Sequence, residues 1–156
     1  MSALRIHPIA PAALPLALLR EADPDENKVR GYLPNAQCYA ALRGEEIVGA
    51  CVLAPHGDDG LEVMNISVLP AVQGQGVGTR LLAAVMDAVR AQGTRRLCLG
   101  TGTFGYQLAF YQRAGFRVVA VERDYFTRHY DAPIFEQGIQ HRDRLWLERT
   151  LDDTHD

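Results

Sequence analysis

The sequence predicts a mixed α/β domain with helices packed on a central sheet. Three observations lead there. Strand-like apolar runs and helical spacings follow one another in the order β-α-α-β-β-β-α-β-α-β-β. A glycine-rich turn at residues 73–79 joins one such run to an amphipathic helix pattern. The chain has 156 residues, 47% hydrophobic and 22% charged, which is the size and make-up of one domain with a proper core.

Leu4 to Pro8 reads as the first strand. Pro11 to Glu21 is rich in Ala and Leu, and Pro11 suits a first helical turn. Asp25 to Leu33 looks like a second, short helix before Pro34. Gln37 to Leu42 and Ile47 to Leu53 are strands joined by Arg43-Gly44-Glu45-Glu46, a hairpin signal. After the turn at His56 to Gly60, Leu61 to Leu69 forms the next strand, its alternation placing Glu62, Met64, Ile66 and Val68 on one face. The helix pattern of Arg80 to Ala91 carries Leu82, Val85, Met86 and Val89 at helical spacing and stops at Gly93. Arg96 to Leu99 is a buried strand, and Tyr106 to Arg113 a helix ended by Gly115. Phe116 to Val121 and Arg144 to Leu151 are the last strands. The domain is expected over 1–151, with 152–156 a frayed tail.

Composition excludes several classes. The net charge of −3 and the lack of a basic run argue against a nucleic-acid surface. No apolar run approaches the ~18 residues of a membrane span, and no leader pattern opens the chain. Cys38, Cys51 and Cys98 are widely spaced, odd in number and each in an apolar run, which reads as buried free thiols in a reducing, cytoplasmic compartment. The histidines show no ligand spacing, so no metal is expected.

Residues 73–79 read Gln-Gly-Gln-Gly-Val-Gly-Thr. Alternating glycines let the backbone turn sharply, and the helix that follows points unpaired N–H groups into the turn. Strand, glycine turn and helix N-terminus together favour phosphate. A P-loop fails for want of Lys after a glycine, and Gly-x-Gly-x-x-Gly fails because Thr79 stands where glycine is needed. Gly100-Thr101-Gly102-Thr103-Phe104-Gly105 matches Gly-x-Gly-x-x-Gly literally, but too little chain follows for a dinucleotide fold.

The pattern Gln73-x-x-Gly76-x-Gly78, preceded by Asn65-Ile66-Ser67-Val68-Leu69-Pro70 and followed by Leu81-Leu82, resembles the acetyl-CoA loop of the GNAT N-acetyltransferase superfamily. Tyr111-Gln112-Arg113-Ala114-Gly115-Phe116 resembles that family's Tyr-x-x-x-Gly-Phe block. The resemblance covers roughly Gln37 to Leu147 and implies a small, single-domain, bacterial-type member. Its fold would have a mostly antiparallel mixed sheet, splayed at the acetyl-CoA site, with helices on both faces.

The resemblance also implies a site. Acetyl-CoA would pair along the backbone of Ile66, Ser67 and Val68, and its pyrophosphate would fall on Gln73, Gly74, Gln75, Gly76, Val77, Gly78 and Thr79. Tyr111 matches the general acid that protonates the departing thiolate; packing under Phe116 is the plain alternative. Glu62 stands where some members carry the base, and a carboxylate on an apolar face would have a raised pKa. Its alternatives are an idle strand-end residue or a base of ordered water. Many members carry Asn shortly before the Tyr; here either Thr101 or Thr103 replaces it, or the contact is absent. The implied reaction is acetyl transfer to a primary amine of a small molecule or peptide by direct attack. A non-catalytic acyl-CoA-binding regulatory module competes with it, and Tyr111 favours the enzyme. Oligomeric state stays open, a homodimer included.

The connection between the last two strands is long for a hairpin, where ~2–5 residues are usual. Tyr125, Phe126, Tyr130, Ile134 and Phe135 make residues 122–143 too apolar for a solvated tail. The resemblance puts this segment beside the acceptor pocket, with Tyr130 and His129 as substrate-contacting candidates and Asp124, Asp131 or Glu136 to hold a cationic acceptor. A structural edge helix is the alternative.

Overall fold

The computed structural model describes residues 3–151; the tail expected over 152–156 lies outside them. Nine strands form: β1 (Leu4–Ile9), β2 (Gln37–Arg43), β3 (Glu46–His56), β4 (Gly60–Val68), β5 (Arg96–Gly102), β6 (Arg117–Glu122), β7 (Phe135–Glu136), β8 (Ile139–Gln140) and β9 (Arg144–Thr150). The helices are α1 (Leu16–Leu19), α2 (Glu26–Tyr32), α3 (Val77–Ala91), α4 (Tyr106–Arg113) and α5 (Tyr125–His129). Seven strands make one sheet in the order β1-β2-β3-β4-β5-β9-β6, and β7 and β8 form a separate hairpin. Every pairing in the large sheet is antiparallel except β4 with β5. A mixed, mostly antiparallel sheet was expected, and it is what forms.

The sheet is buried on both faces, and strand alternation shows it. Tyr39, Ala41, Cys51 and Leu53 join the core under α3 and α4, with Leu81, Leu82, Val85 and Val89 from α3. Their neighbours Cys38, Ala40, Ala50 and Val52 join a second core under α1 and α2, with Leu18, Leu19 and Val29. The three thiols are free and buried. Burial pushes Cys38 up to about 11 and Cys51 and Cys98 up to about 12, so all three stay protonated at neutral pH.

Four elements depart from the sequence expectation. The helix expected over Pro11 to Glu21 breaks into a 3-10 turn at Pro11–Ala13 and the four residues of α1. Pro15, which has no N–H to give, is the cap between them. Helix α3 starts at Val77 instead of Arg80, so Val77 to Thr79 are its first turn. Strand β5 runs on to Gly102, which puts Gly100 and Gly102 inside a strand and removes the nucleotide-turn reading. Those glycines serve packing: a Cβ at Gly100 would collide with the Arg144 side chain, and one at Gly102 with the His141 ring.

The fourth departure is a bulge in β4. Val52 pairs with Asn65 and Leu53 with Val63, leaving Met64 as an extra residue. Val63, Ile66 and Val68 therefore face the α3 core, while Met64 faces the α1–α2 core. Simple alternation had put Glu62 on the face of Ile66 and Val68. The bulge separates them, and Glu62 opens beside Met64 on the α1–α2 side.

Candidate active site

Strands β4 and β5 pair only over Gly60–Glu62 against Arg96–Cys98. Beyond that β4 continues to Val68 and β5 to Gly102 with no pairing between them. The gap opens into a cleft of about 360 Å³. Its walls are the end of β4, the glycine turn, the start of α3 and one face of α4.

The turn is built for this position. After β4 a 3-10 turn at Pro70–Val72 redirects the chain. The Gln73 carboxamide then donates to the Val68 carbonyl at 2.9 Å and ties the turn to the strand end. Gly74 (φ 79°) and Gly76 (φ 82°) are left-handed, and a Cβ at either would meet nothing within 4 Å. Their glycine requirement is thus one of backbone conformation, and the space above them is open. None of the N–H groups from Gly74 to Thr79 finds a backbone acceptor among the described residues. The Ser67 hydroxyl is buried in the same cleft without a partner. Open space, free N–H donors and an orphaned hydroxyl are what a phosphate-bearing ligand with peptide-like amides would satisfy.

Of the cofactor residues expected from the sequence, Ile66, Ser67, Val68, Gln73, Gly74, Gly76, Val77, Gly78 and Thr79 line this cleft. Gln75 does not; its side chain turns away to accept from Arg43 Nη1 at 3.3 Å. Tyr106, Gln107 and Phe110 line it too and were missed. Tyr111 lines it and is 8% exposed. Its ring meets Phe110 and Phe116 edge-on, centroids 5.2 and 5.9 Å away. Burial, with Cys51 and Tyr106 adding to it, pushes the phenol well above its ordinary range, so it stays protonated. Packing under Phe116 and facing the cleft are both true of this side chain.

A second cleft of about 380 Å³ adjoins the first, sharing Ala22 and Gln107 as walls. Glu62 lies in it. Burial raises the Glu62 carboxyl, against smaller lowering effects of Arg144 and His56 and a further raising effect of Glu122. Across the cleft, Asp23 accepts from the hydroxyls of Tyr32 (3.2 Å) and Tyr130 (3.3 Å) and from the Asp25 N–H (3.1 Å). Lys28 Nζ sits 4.9 Å from the Tyr130 ring centroid. Asn65, on β4, donates to the Leu19 carbonyl at 2.8 Å and to Tyr32 Oη at 3.1 Å, fixing α1 and α2 against the strand.

The segment 122–143 folds into α5 and the β7–β8 hairpin. It supplies Tyr125, Phe126 and Tyr130 to the second cleft. His129 is not among the lining residues; its ring lies on Tyr125 at 4.4 Å. Asp124, Asp131 and Glu136 do not line the cleft either, and Glu136 bonds His141 at 2.8 Å. The acids present are Asp23 and Glu62. Thr101 lines the second cleft and not the first, and Thr103 lines neither. No spacing signal in the sequence marks Asp23 or Arg144, because neither belongs to a motif.

Residues 34–118 match the family model described as an acetyltransferase (GNAT) domain. An uncharacterised N-acetyltransferase of Bacillus subtilis strain 168, YvbK, is 40% identical over 134 residues, which are 84% of this chain and 86% of that protein. The chain belongs to the GNAT acetyltransferase family. Solved structures match this acetyltransferase along most of its length. A GNAT family acetyltransferase from Elizabethkingia anophelis with acetyl-CoA bound superposes with a TM-score of 0.88 and 34% identity, covering 94% of this chain and 97% of that one. A Bacillus subtilis acetyltransferase in complex with CoA gives 0.87 and 36%, covering 95% and 99%. Among the described residues, no helix of the enzyme is long and apolar enough to cross a membrane.

Proposed function

We propose that this acetyltransferase moves the acetyl group of acetyl-CoA onto a primary amine of a small molecule or peptide by direct attack. One observation carries the reading: the two clefts adjoin at Ala22 and Gln107, with the protonated Tyr111 in one and the Glu62 carboxyl in the other. Bound acetyl-CoA supplies the thioester. The free edge of β4 at Ile66 to Val68 pairs with its pantetheine amides. The N–H groups of Gly74 to Thr79 hold its pyrophosphate, aided by the positive end of α3. Glu62, directly or through an ordered water, takes the proton of the attacking amine, and its raised pKa suits a base working near neutral pH. Tyr111 gives its proton to the leaving thiolate. Tyr130 and Tyr125, the latter with the His129 ring lying on it, bound the acceptor. The buried protonated thiols fit a cytoplasmic setting.

The test is an acceptor panel of small amines and peptide N-termini, with free CoA followed by a thiol reagent. Release that depends on both substrates supports the reading. Tight acetyl-CoA binding with no release on any amine would leave a non-catalytic acyl-CoA-binding module in its place.

A further inference from the structure

Arg144 enters the acceptor cleft from β9 and is held there on several sides. Its guanidinium lies 3.6 Å from the centroid of the Tyr125 ring. Its Nε and Nη2 both reach Glu122 Oε1, at 2.8 and 2.7 Å. Only glycine at position 100 leaves room for the side chain to lie over β5. A guanidinium has two forked edges that suit a carboxylate. Glu122 takes the edge formed by Nε and Nη2. The end edge, formed by Nη1 and Nη2, has no hydrogen-bond partner at Nη1 among the described residues. The side-chain entropy of ordering this fork is already met by stacking and the Glu122 pair, as in a preorganised anion site.

The charges around it are balanced. Lys28 and Arg144 line the cleft against Asp23 and Glu62. Asp23 is saturated by two phenols and an amide N–H, whereas Glu62 forms no ion pair or hydrogen bond among the described residues. One free acid and one free cationic edge in a cleft of about 380 Å³ match a small zwitterion.

Resting on the acetyltransferase reading, we propose that the acceptor is a small amino-acid-type molecule, its amine at Glu62 and its carboxylate on the end edge of Arg144. Arg144 is then the residue that sets specificity. A peptide N-terminus, whose first carboxyl is an amide, lacks the group this edge binds.

The experiment has a kinetic arm and a binding arm. The first compares free α-amino acids with their primary amides as acceptors. Wild-type enzyme should favour the acids by about tenfold or more in kcat/KM, the worth of one charge-assisted hydrogen-bonded contact. Arg144→Gln should erase that preference by raising KM for the acids far more than for the amides, with the Kd of acetyl-CoA within about twofold of wild type. Gly100→Ala should do the same while keeping the charge, because its Cβ displaces the guanidinium. It also covers the case in which Arg144→Gln fails to fold. Equal use of acids and amides by the wild type, or an equal loss on both in either folded variant, overturns the proposal. The second arm titrates N-acetyl amino acids and their amides into the CoA complex by calorimetry. If no amine releases CoA, the transfer reading falls. Acid-selective binding lost on Arg144→Gln or Gly100→Ala would still sustain the carboxylate subsite. Equal or absent binding overturns it.

Discussion

Replacing Tyr111 with Phe removes one oxygen and leaves the packing in place. The ring keeps its edge-on contacts with Phe110 and Phe116. The hydroxyl bonds no protein group among the described residues, so its loss leaves no buried partner there unsatisfied. Stability should change by less than about 1 kcal/mol, whereas Tyr111→Ala would open a cavity and cost about 3–5 kcal/mol. The kinetic effect should be larger. General acid catalysis contributes about 10²–10⁴ in rate, so kcat should fall by at least about 10²-fold, or 2.7 kcal/mol in the barrier. The Kd of acetyl-CoA should stay within about twofold, because the role proposed for the phenol is on the leaving sulfur and not in binding. Initial rates of CoA release at saturating acetyl-CoA, calorimetry and a melting curve give the three quantities. The wild-type phenol, raised by burial, should also keep its proton up to about pH 10, so Tyr111 adds no basic limb below that. A Phe variant with unaltered kcat would reduce Tyr111 to a packing residue and refute the assignment.

Three further outcomes follow from the same geometry. Gly76→Asp should abolish acetyl-CoA binding in calorimetry, since it places a negative side chain at a left-handed cap where the pyrophosphate would sit; a folded variant of wild-type affinity would sink the loop assignment. Glu62→Gln should remove the acidic limb of the kcat/KM profile, a limb lying above the ordinary carboxylate range because burial raises this group. The same raised pKa means the native state binds more protons than the unfolded chain between the two pKa values. Glu62 thus loses stability for the protein as pH rises through that window, and the Gln variant should melt no lower than wild type at pH 7. Tyr130→Ala should raise KM for the acceptor more than His129→Ala does, with the Kd of acetyl-CoA unmoved in both; unchanged acceptor kinetics in both would make the segment structural.

The first cleft was legible in the sequence because it is built from backbone. Glycine spacing, a strand before it and a helix after it are all local patterns; Ile66 to Val68, Gln73, Gly74 and Gly76 to Thr79 line one cleft, although Gln75 turns away and the helix begins three residues earlier than its periodicity marks. The second cleft was only partly legible. Tyr130 could be named because an apolar loop of that length needs a purpose, and Glu62 because it sits on the same strand as the cofactor edge. Asp23, Tyr32 and Arg144 come from distant parts of the chain and meet only through tertiary packing. The face of Glu62 was misjudged for a related reason: a bulge is fixed by the partner strand, and nothing in Glu62-Val63-Met64-Asn65 announces it. Gly100 and Gly102 were open to misreading because a glycine that yields space to Arg144 or His141 looks, in one dimension, like a glycine that turns the chain.

The extra residue at Met64 has a consequence for traffic under the proposed reaction. It turns the Glu62 carboxyl toward one side of the sheet and the edge at Ile66 to Val68 toward the other. With Glu62 as the base and that edge as the cofactor's, donor and acceptor would have separate doors onto a common gap, and neither would have to leave before the other arrives. No acetylated side chain would then be needed to ferry the group between them. On that proposal, a single residue out of register at the middle of one strand would let this small domain hold both molecules at once.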